Sequence, residues 1–263
     1  MKIGVFDSGL GGLILLKAIT QKLPQYDYVY LGDTKRVPYG NRSQTTIYEF
    51  TRQAVDFLFK KNCQLIIVAC NTASALALRR IQREYLPKHY PNRRVLGVII
   101  PTAEAAADLS SVGVLATEST VASKSFVREL AKLAPRIKIW QQAAPLLVPL
   151  AESGELKLAG PILKSYLAPL LKHKPQGIIL GCTHYPVFKP QIKRLAAGVK
   201  LISQDELVPA KLAHYLARHP EIERRLTKRS NRELFVTDLT ENIQAKIREW
   251  FGSIRPRLSR LER

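Results

Sequence analysis

Two short apolar runs in this chain end in the same way. Leu65-Ile66-Ile67-Val68-Ala69 leads into Cys70-Asn71-Thr72, and Ile178-Ile179-Leu180-Gly181 leads into Cys182-Thr183-His184. Each run is rich in β-branched residues, as a buried parallel strand is, and each precedes sequence suited to a helix. The rest of the chain repeats this alternation of short apolar runs with longer amphipathic stretches, the signature of βα units and a mostly parallel sheet. Strands are expected at 2–6, 28–31, 65–69, 94–99, 111–116, 138–141, 177–181, 200–202 and 233–237. Helices are expected at 13–22, 42–60, 72–85, 120–133, 154–170, 186–197, 205–218 and 240–251.

The alternation also carries a hint of duplication. Gly4-Val5-Phe6-Asp7-Ser8 resembles Gly113-Val114-Leu115-Ala116-Thr117, and the two cysteine strands follow in the same relative order. The expected fold is therefore α/β: two similar, mostly parallel-sheet domains, helices on both faces of each, and the active site in the cleft between them. Residues 1–95 plus 208–263 are expected to form the domain carrying Asp7 and Cys70, and 96–207 the domain carrying Cys182. In open parallel sheets ligands bind beyond the carboxyl ends of the strands, where both cysteine turns would lie.

Composition bounds the function classes. With 263 residues, 46% hydrophobic and 24% charged, the chain falls among ordinary globular proteins able to bury a substantial core. The start, Met1-Lys2-Ile3-Gly4-Val5-Phe6-Asp7, reaches an acid before a signal-peptide core could form, and no run approaches the ~20 apolar residues of a membrane helix. A cytoplasmic protein without membrane contact is expected. Three cysteines, Cys63, Cys70 and Cys182, give neither a metal pattern nor an even-numbered disulfide framework. Cys63 is expected to be an inert core residue. The net charge of +20 permits attraction to nucleic acid or anionic metabolites. It is scattered along the chain without any nucleic-acid-binding motif, so nucleic acid is not expected as the primary partner.

Four segments can carry chemistry. Asp7-Ser8-Gly9-Leu10-Gly11-Gly12 lies between a strand and a helix, where glycines permit close backbone approach but the spacing matches neither a phosphate loop nor a dinucleotide fingerprint. Asp7 is read as a helix cap, a substrate contact or a proton relay. Gly32-Asp33-Thr34-Lys35-Arg36-Val37-Pro38-Tyr39-Gly40 is a loop with a Pro-Tyr-Gly turn. The two cysteine turns place thiols at helix starts, where the dipole and free N–H groups favour the thiolate. Thr72 and Thr183 add hydroxyls, and His184 either orients Cys182, passes protons or is structural. Glu152, in Val148-Pro149-Leu150-Ala151-Glu152, can cap a helix, face solvent or reach the cleft.

Taken together, these segments resemble the glutamate racemases, within the aspartate/glutamate racemase superfamily. The matching stretches are Val5 to Gly12, Tyr30 to Thr34, Pro38-Tyr39-Gly40, Ala69 to Ser74, Val148-Pro149-Leu150, Gly181 to Pro186 and Phe235 to Asp238. The resemblance implies an isomerase without pyridoxal or other cofactor and without metal, which interconverts L- and D-glutamate for peptidoglycan synthesis and assembles as a homodimer. It implies Cys70 and Cys182 as the two bases, with Asp7 and His184 assisting them. It further implies a substrate pocket lined by Asp7, Ser8, Tyr39, Gly40, Asn71, Thr72, Thr183 and His184, with Glu152 near the site. Two segments depart from the family's usual pattern: Ile100-Pro101-Thr102, where many relatives carry Glu-Pro, and Ile202-Ser203-Gln204-Asp205-Glu206, where Asp-Ser is common. Alternative readings are an aspartate racemase or another two-cysteine isomerase on the same scaffold, or a basic nucleic-acid-binding protein.

Overall fold

The computed structural model describes residues 1–261. The strands are β1 (Lys2–Asp7), β2 (Tyr28–Gly32), β3 (Cys63–Val68), β4 (Arg94–Gly97), β5 (Ser111–Ala116), β6 (Lys138–Ala143), β7 (Gly177–Gly181), β8 (Lys200–Ser203), β9 (Arg232–Val236) and β10 (Arg257–Leu258). They form two sheets, ordered β10-β9-β2-β1-β3-β4 and β6-β5-β7-β8, and every pairing is parallel. The order β2-β1-β3-β4 in the first sheet is repeated as β6-β5-β7-β8 in the second, so the duplication is structural. Cys70 follows β3 and Cys182 follows β7, at equivalent places in the two orders.

Period-two burial distributes the strand residues over three apolar layers. Ile66 and Val68 face a layer with Val55 and Leu58 of the helix Gln44–Lys60. Val112, Val114 and Ile179 face a second layer with Phe126 and Leu130. The opposite sides of both sheets, through Ile3, Val5, Leu65, Ile67, Leu115, Ile178 and Leu180, share one continuous core. Into that core the helices Gly12–Lys22 and Gln204–Arg218 pack against each other, which joins the two halves. Both faces of each sheet are thus covered, as strands apolar on both sides require.

Several expected helices are interrupted, each for a local reason. The stretch expected as one helix over 72–85 is Asn71–Leu76, Leu78–Arg80 and then a π-turn at Ile81–Tyr85 ahead of Leu86–His89. Pro87 has no N–H to give to the preceding turn, and a wider turn before it absorbs the mismatch. The helix expected over 120–133 divides into Glu118–Ala122 and Ser125–Leu133, because Lys124 adopts a left-handed conformation with φ 53°. Gly154 does not open a helix. With φ 82° it closes the unanticipated helix Leu147–Ser153, and the next regular helix begins at Ala159. The strand expected to run to 99 stops at Gly97, and Ile99 begins the helix Ile99–Ala106. Among the described residues, no helix is long and apolar enough to cross a membrane.

Candidate active site

The carboxyl ends of β1, β3, β5 and β7 open onto a cavity of about 160 Å3. Its walls include Ser8, Tyr39, Gly40, Cys70, Asn71, Thr72, Cys182, Thr183 and His184, so nine of the residues singled out from sequence meet there. A larger open groove of about 750 Å3, bordered by Arg79, Leu96, Ile100, Lys211 and Tyr215, touches none of them. Among the described residues, no group of three or more His, Cys, Asp or Glu side chains is placed to hold a metal ion.

Cys70 is the N-cap of the helix Asn71–Leu76, and the turn gives its Sγ two neighbours. The Ala73 N–H donates to it at 3.4 Å, and Sγ lies 3.3 Å from the Ser8 hydroxyl. Burial and then the nearby Asp7 carboxyl push the Cys70 thiol up to about 12, against the opposing pull of Ser8 and the Ala73 N–H. Cys182 sits in a different setting, with His184 Nδ1 3.8 Å from its Sγ. The other ring nitrogen, Nε2, is 2.9 Å from Glu152 Oε1. Burial alone would lower His184, yet its contacts with Cys182 and Glu152 outweigh this and raise it well above the ordinary imidazole range. The imidazolium is therefore the favoured form, with the Glu152 carboxylate at one ring nitrogen and the Cys182 sulfur at the other. The two thiols lie near enough that Cys182 adds to the upward shift of Cys70.

Asp7 and Glu152 stand behind the wall rather than on it. Asp7 is fully buried, accepting from the Gly9 N–H at 3.2 Å and from the Thr183 hydroxyl at 3.1 Å. Burial raises its pKa, while His184, the Gly12 and Gly9 N–H groups and Thr183 oppose the rise. The Asp7–Thr183 bond ties the end of β1 to the turn after β7, joining the two halves at the cavity. The glycines around Asp7 make that junction possible by their lack of a side chain. A Cβ on Gly11 would stand 2.6 Å from Thr183 Oγ1 and 2.7 Å from His184 Nδ1, and one on Gly9 would stand 2.9 Å from Glu152 Oε1.

The remaining wall is braced from outside. Tyr39 bonds through its hydroxyl to the buried Asp33, which also receives Arg36 and Thr237. The Gly40 carbonyl accepts from both the N–H and the hydroxyl of Ser119. Thr72 and Thr117 share a hydroxyl contact at 2.9 Å, and Thr120 joins it. Thr117 lines the cavity and went unassigned as a site residue in the sequence, although the repeat already pairs it with Ser8. Val148 and Pro149 also line the cavity, brought there by the helix Leu147–Ser153.

Two cysteine turns of a duplicated parallel fold border this cavity, and comparison with known proteins shows the class of protein to which such a fold belongs here, a racemase. Residues 13–208 match the family described as Asp/Glu/Hydantoin racemase. The chain is 42% identical over 238 residues to a glutamate racemase of Ruegeria sp. (strain TM1040), covering 84% of this chain and 87% of that one. It is 40% identical over 257 residues to the glutamate racemase of Aquifex pyrophilus, covering 96% and 94%. The crystal structure of glutamate racemase from Francisella tularensis in complex with D-glutamate superposes with a TM-score of 0.90 at 31% identity, covering 99% of this chain and 98% of that one. The chain belongs to the Asp/Glu/hydantoin racemase family.

Proposed function

We propose that this protein interconverts L- and D-glutamate by passing the α-proton between Cys70 and Cys182, with no organic cofactor, and so supplies D-glutamate for peptidoglycan. The observation that carries the mechanism is that both thiols line one small cavity from separate sheets. The choice of glutamate is supported by the relatives named glutamate racemase and by the D-glutamate complex of the Francisella enzyme.

In one direction a Cys70 thiolate takes the α-proton, leaving an electron pair on the α-carbon. The Cys182 thiol delivers its proton to the opposite face, the electron pair forms the new C–H bond, and Cys182 becomes the thiolate. The reverse direction exchanges the roles. Beside Cys182 stands His184, which Glu152 holds in place. A thiolate at Cys70 has Ser8 and the Ala73 N–H beside it, and works against burial. The buried Asp7, which accepts from the Gly9 N–H and the Thr183 hydroxyl, is the nearby acid that opposes a thiolate at Cys70. Asn71, whose NH2 has no partner in the protein, offers a donor for a substrate carboxylate, while Tyr39 and Gly40 close the wall. A cytoplasmic location and a homodimer belong to the same proposal, supported by the family resemblance, with nucleic acid no more than a secondary partner.

The test is chiral separation of products after incubating purified protein with L-glutamate and, separately, L-aspartate, without pyridoxal phosphate. D-glutamate is expected from the first, and Cys70→Ala and Cys182→Ala should each lower its formation by at least about 1000-fold while remaining folded. Conversion of aspartate alone, or near-normal turnover by either variant, would contradict the proposal.

A further inference from the structure

The mechanism above makes no use of the segment Ile202-Ser203-Gln204-Asp205-Glu206. In the structure β8 ends at Ser203 and Gln204 begins the helix that returns to the first half of the molecule. Gln204 is 2% exposed and does not border the cavity. Its Nε2 donates to Asn71 Oδ1 at 3.1 Å, and Asn71 both borders the cavity and directly follows Cys70. The bond therefore crosses from one half of the protein to a wall residue in the other. It leaves two buried atoms without partners, Asn71 Nδ2 and Gln204 Oε1. Buried amide groups are nearly always satisfied, so the unpartnered NH2 of Asn71, a residue that borders the cavity, is a donor still lacking its acceptor.

We propose that Gln204 is a positioning residue: by donating to Asn71 Oδ1 it holds the Asn71 amide with its NH2 free for a carboxylate in the cavity. This rests on the proposed function for the identity of that carboxylate. The two ends of an asparagine amide have nearly the same shape but opposite hydrogen-bonding roles, so the partner behind the amide decides which end a ligand meets. A substrate carboxylate only accepts. If Gln204 presented its Oε1 instead, Asn71 would turn its own oxygen to the cavity and repel the substrate. Gln204 touches no substrate in this arrangement and acts through Asn71.

The test compares racemisation kinetics of wild type, Gln204→Glu and Gln204→Met across pH. At pH 8 the introduced carboxylate can only accept, so it draws the Asn71 NH2 to itself. KM for glutamate should rise about tenfold or more with kcat within about threefold. Gln204→Met, close in volume but unable to donate, leaves Asn71 free to turn and should raise KM by about threefold. Acidification restores an O–H donor only in Gln204→Glu, so its KM should return toward wild type as pH falls, while that of Gln204→Met should not. An unchanged KM in Gln204→Glu, or equal and pH-independent losses in both variants, would overturn the proposal. Absence of glutamate turnover in wild type would instead refute the function. The orientation would then be read from the side-chain amide NMR signals of Asn71 in the apoprotein. A downfield, slowly exchanging Asn71 NH2 in Gln204→Glu but not in wild type supports the proposal, and identical signals overturn it.

Discussion

The two cysteines of the cavity occupy unlike surroundings. Cys70 is held among Ser8, the Ala73 N–H and a buried acid, whereas Cys182 faces an imidazole whose pKa Cys182 and Glu152 together raise. A third thiol, Cys63, lies in the core away from the cavity, and burial pushes it up to about 12 as well. Cys63 and Cys70 ionise near 8.5 in an unfolded chain but much higher in the fold. As pH rises through that interval the unfolded state sheds protons first, so the stability these neutral thiols lend is present below about 8.5 and is lost toward 12. Urea unfolding midpoints should fall steadily between pH 8.5 and 11, and Cys63→Ala should show a shallower fall than wild type. A midpoint independent of pH over that range would contradict the burial of these thiols. The catalytic candidates were legible at this scale because cysteine after an apolar run is rare and repeats here. Thr117 and Gln204 were not assigned to the site, since the contacts that bring them to it, with Thr72 and Asn71, are distant in sequence.

At the scale of the elements, glycine does two different jobs. Gly11 has φ −57°, ordinary for any residue, so no backbone preference demands glycine there. The demand comes from the other half of the molecule, where Thr183 and His184 occupy the space of its missing Cβ. Gly160, inside the helix Ala159–Leu171, meets nothing within 4 Å of its Cβ position. Gly11→Ala is therefore expected to cost about 1–3 kcal/mol through overpacking and to reduce kcat by displacing His184. Gly160→Ala should stabilise by about 0.5–1 kcal/mol with unchanged kinetics. Paired denaturation curves and steady-state assays check both, and a tolerated Gly11→Ala would mean the two halves are not packed as described. The sequence showed a glycine-rich turn after β1 but not its opposing surface, because close approach across a cleft leaves no periodic trace. Helix interruptions were hidden for a related reason. Lys124 in the left-handed region carries no glycine to announce it, and the π-turn before Pro87 preserves an apolar pattern close enough to helical to read as continuous.

The whole molecule is two copies of one strand order joined through a shared core, and that much followed from the alternation of strands and helices and from the matching cysteine turns. The extension of the first sheet by β9 and β10 was only half visible, because β10 is two exposed residues with no buried face to pattern. Duplication brings equivalent turns to one cavity, and a reaction that must reach both faces of one carbon is what such an arrangement suits. In the proposed mechanism each face of the α-carbon has its own proton carrier. The most direct measurement follows α-deuterium during the first few percent of conversion of L-glutamate in deuterated water. Two carriers predict D-glutamate already deuterated at the α-carbon while the recovered L-glutamate still holds its original proton. Deuterium entering the recovered L-glutamate as fast as the product would mean a single carrier serving both faces, and would contradict the two-thiol mechanism.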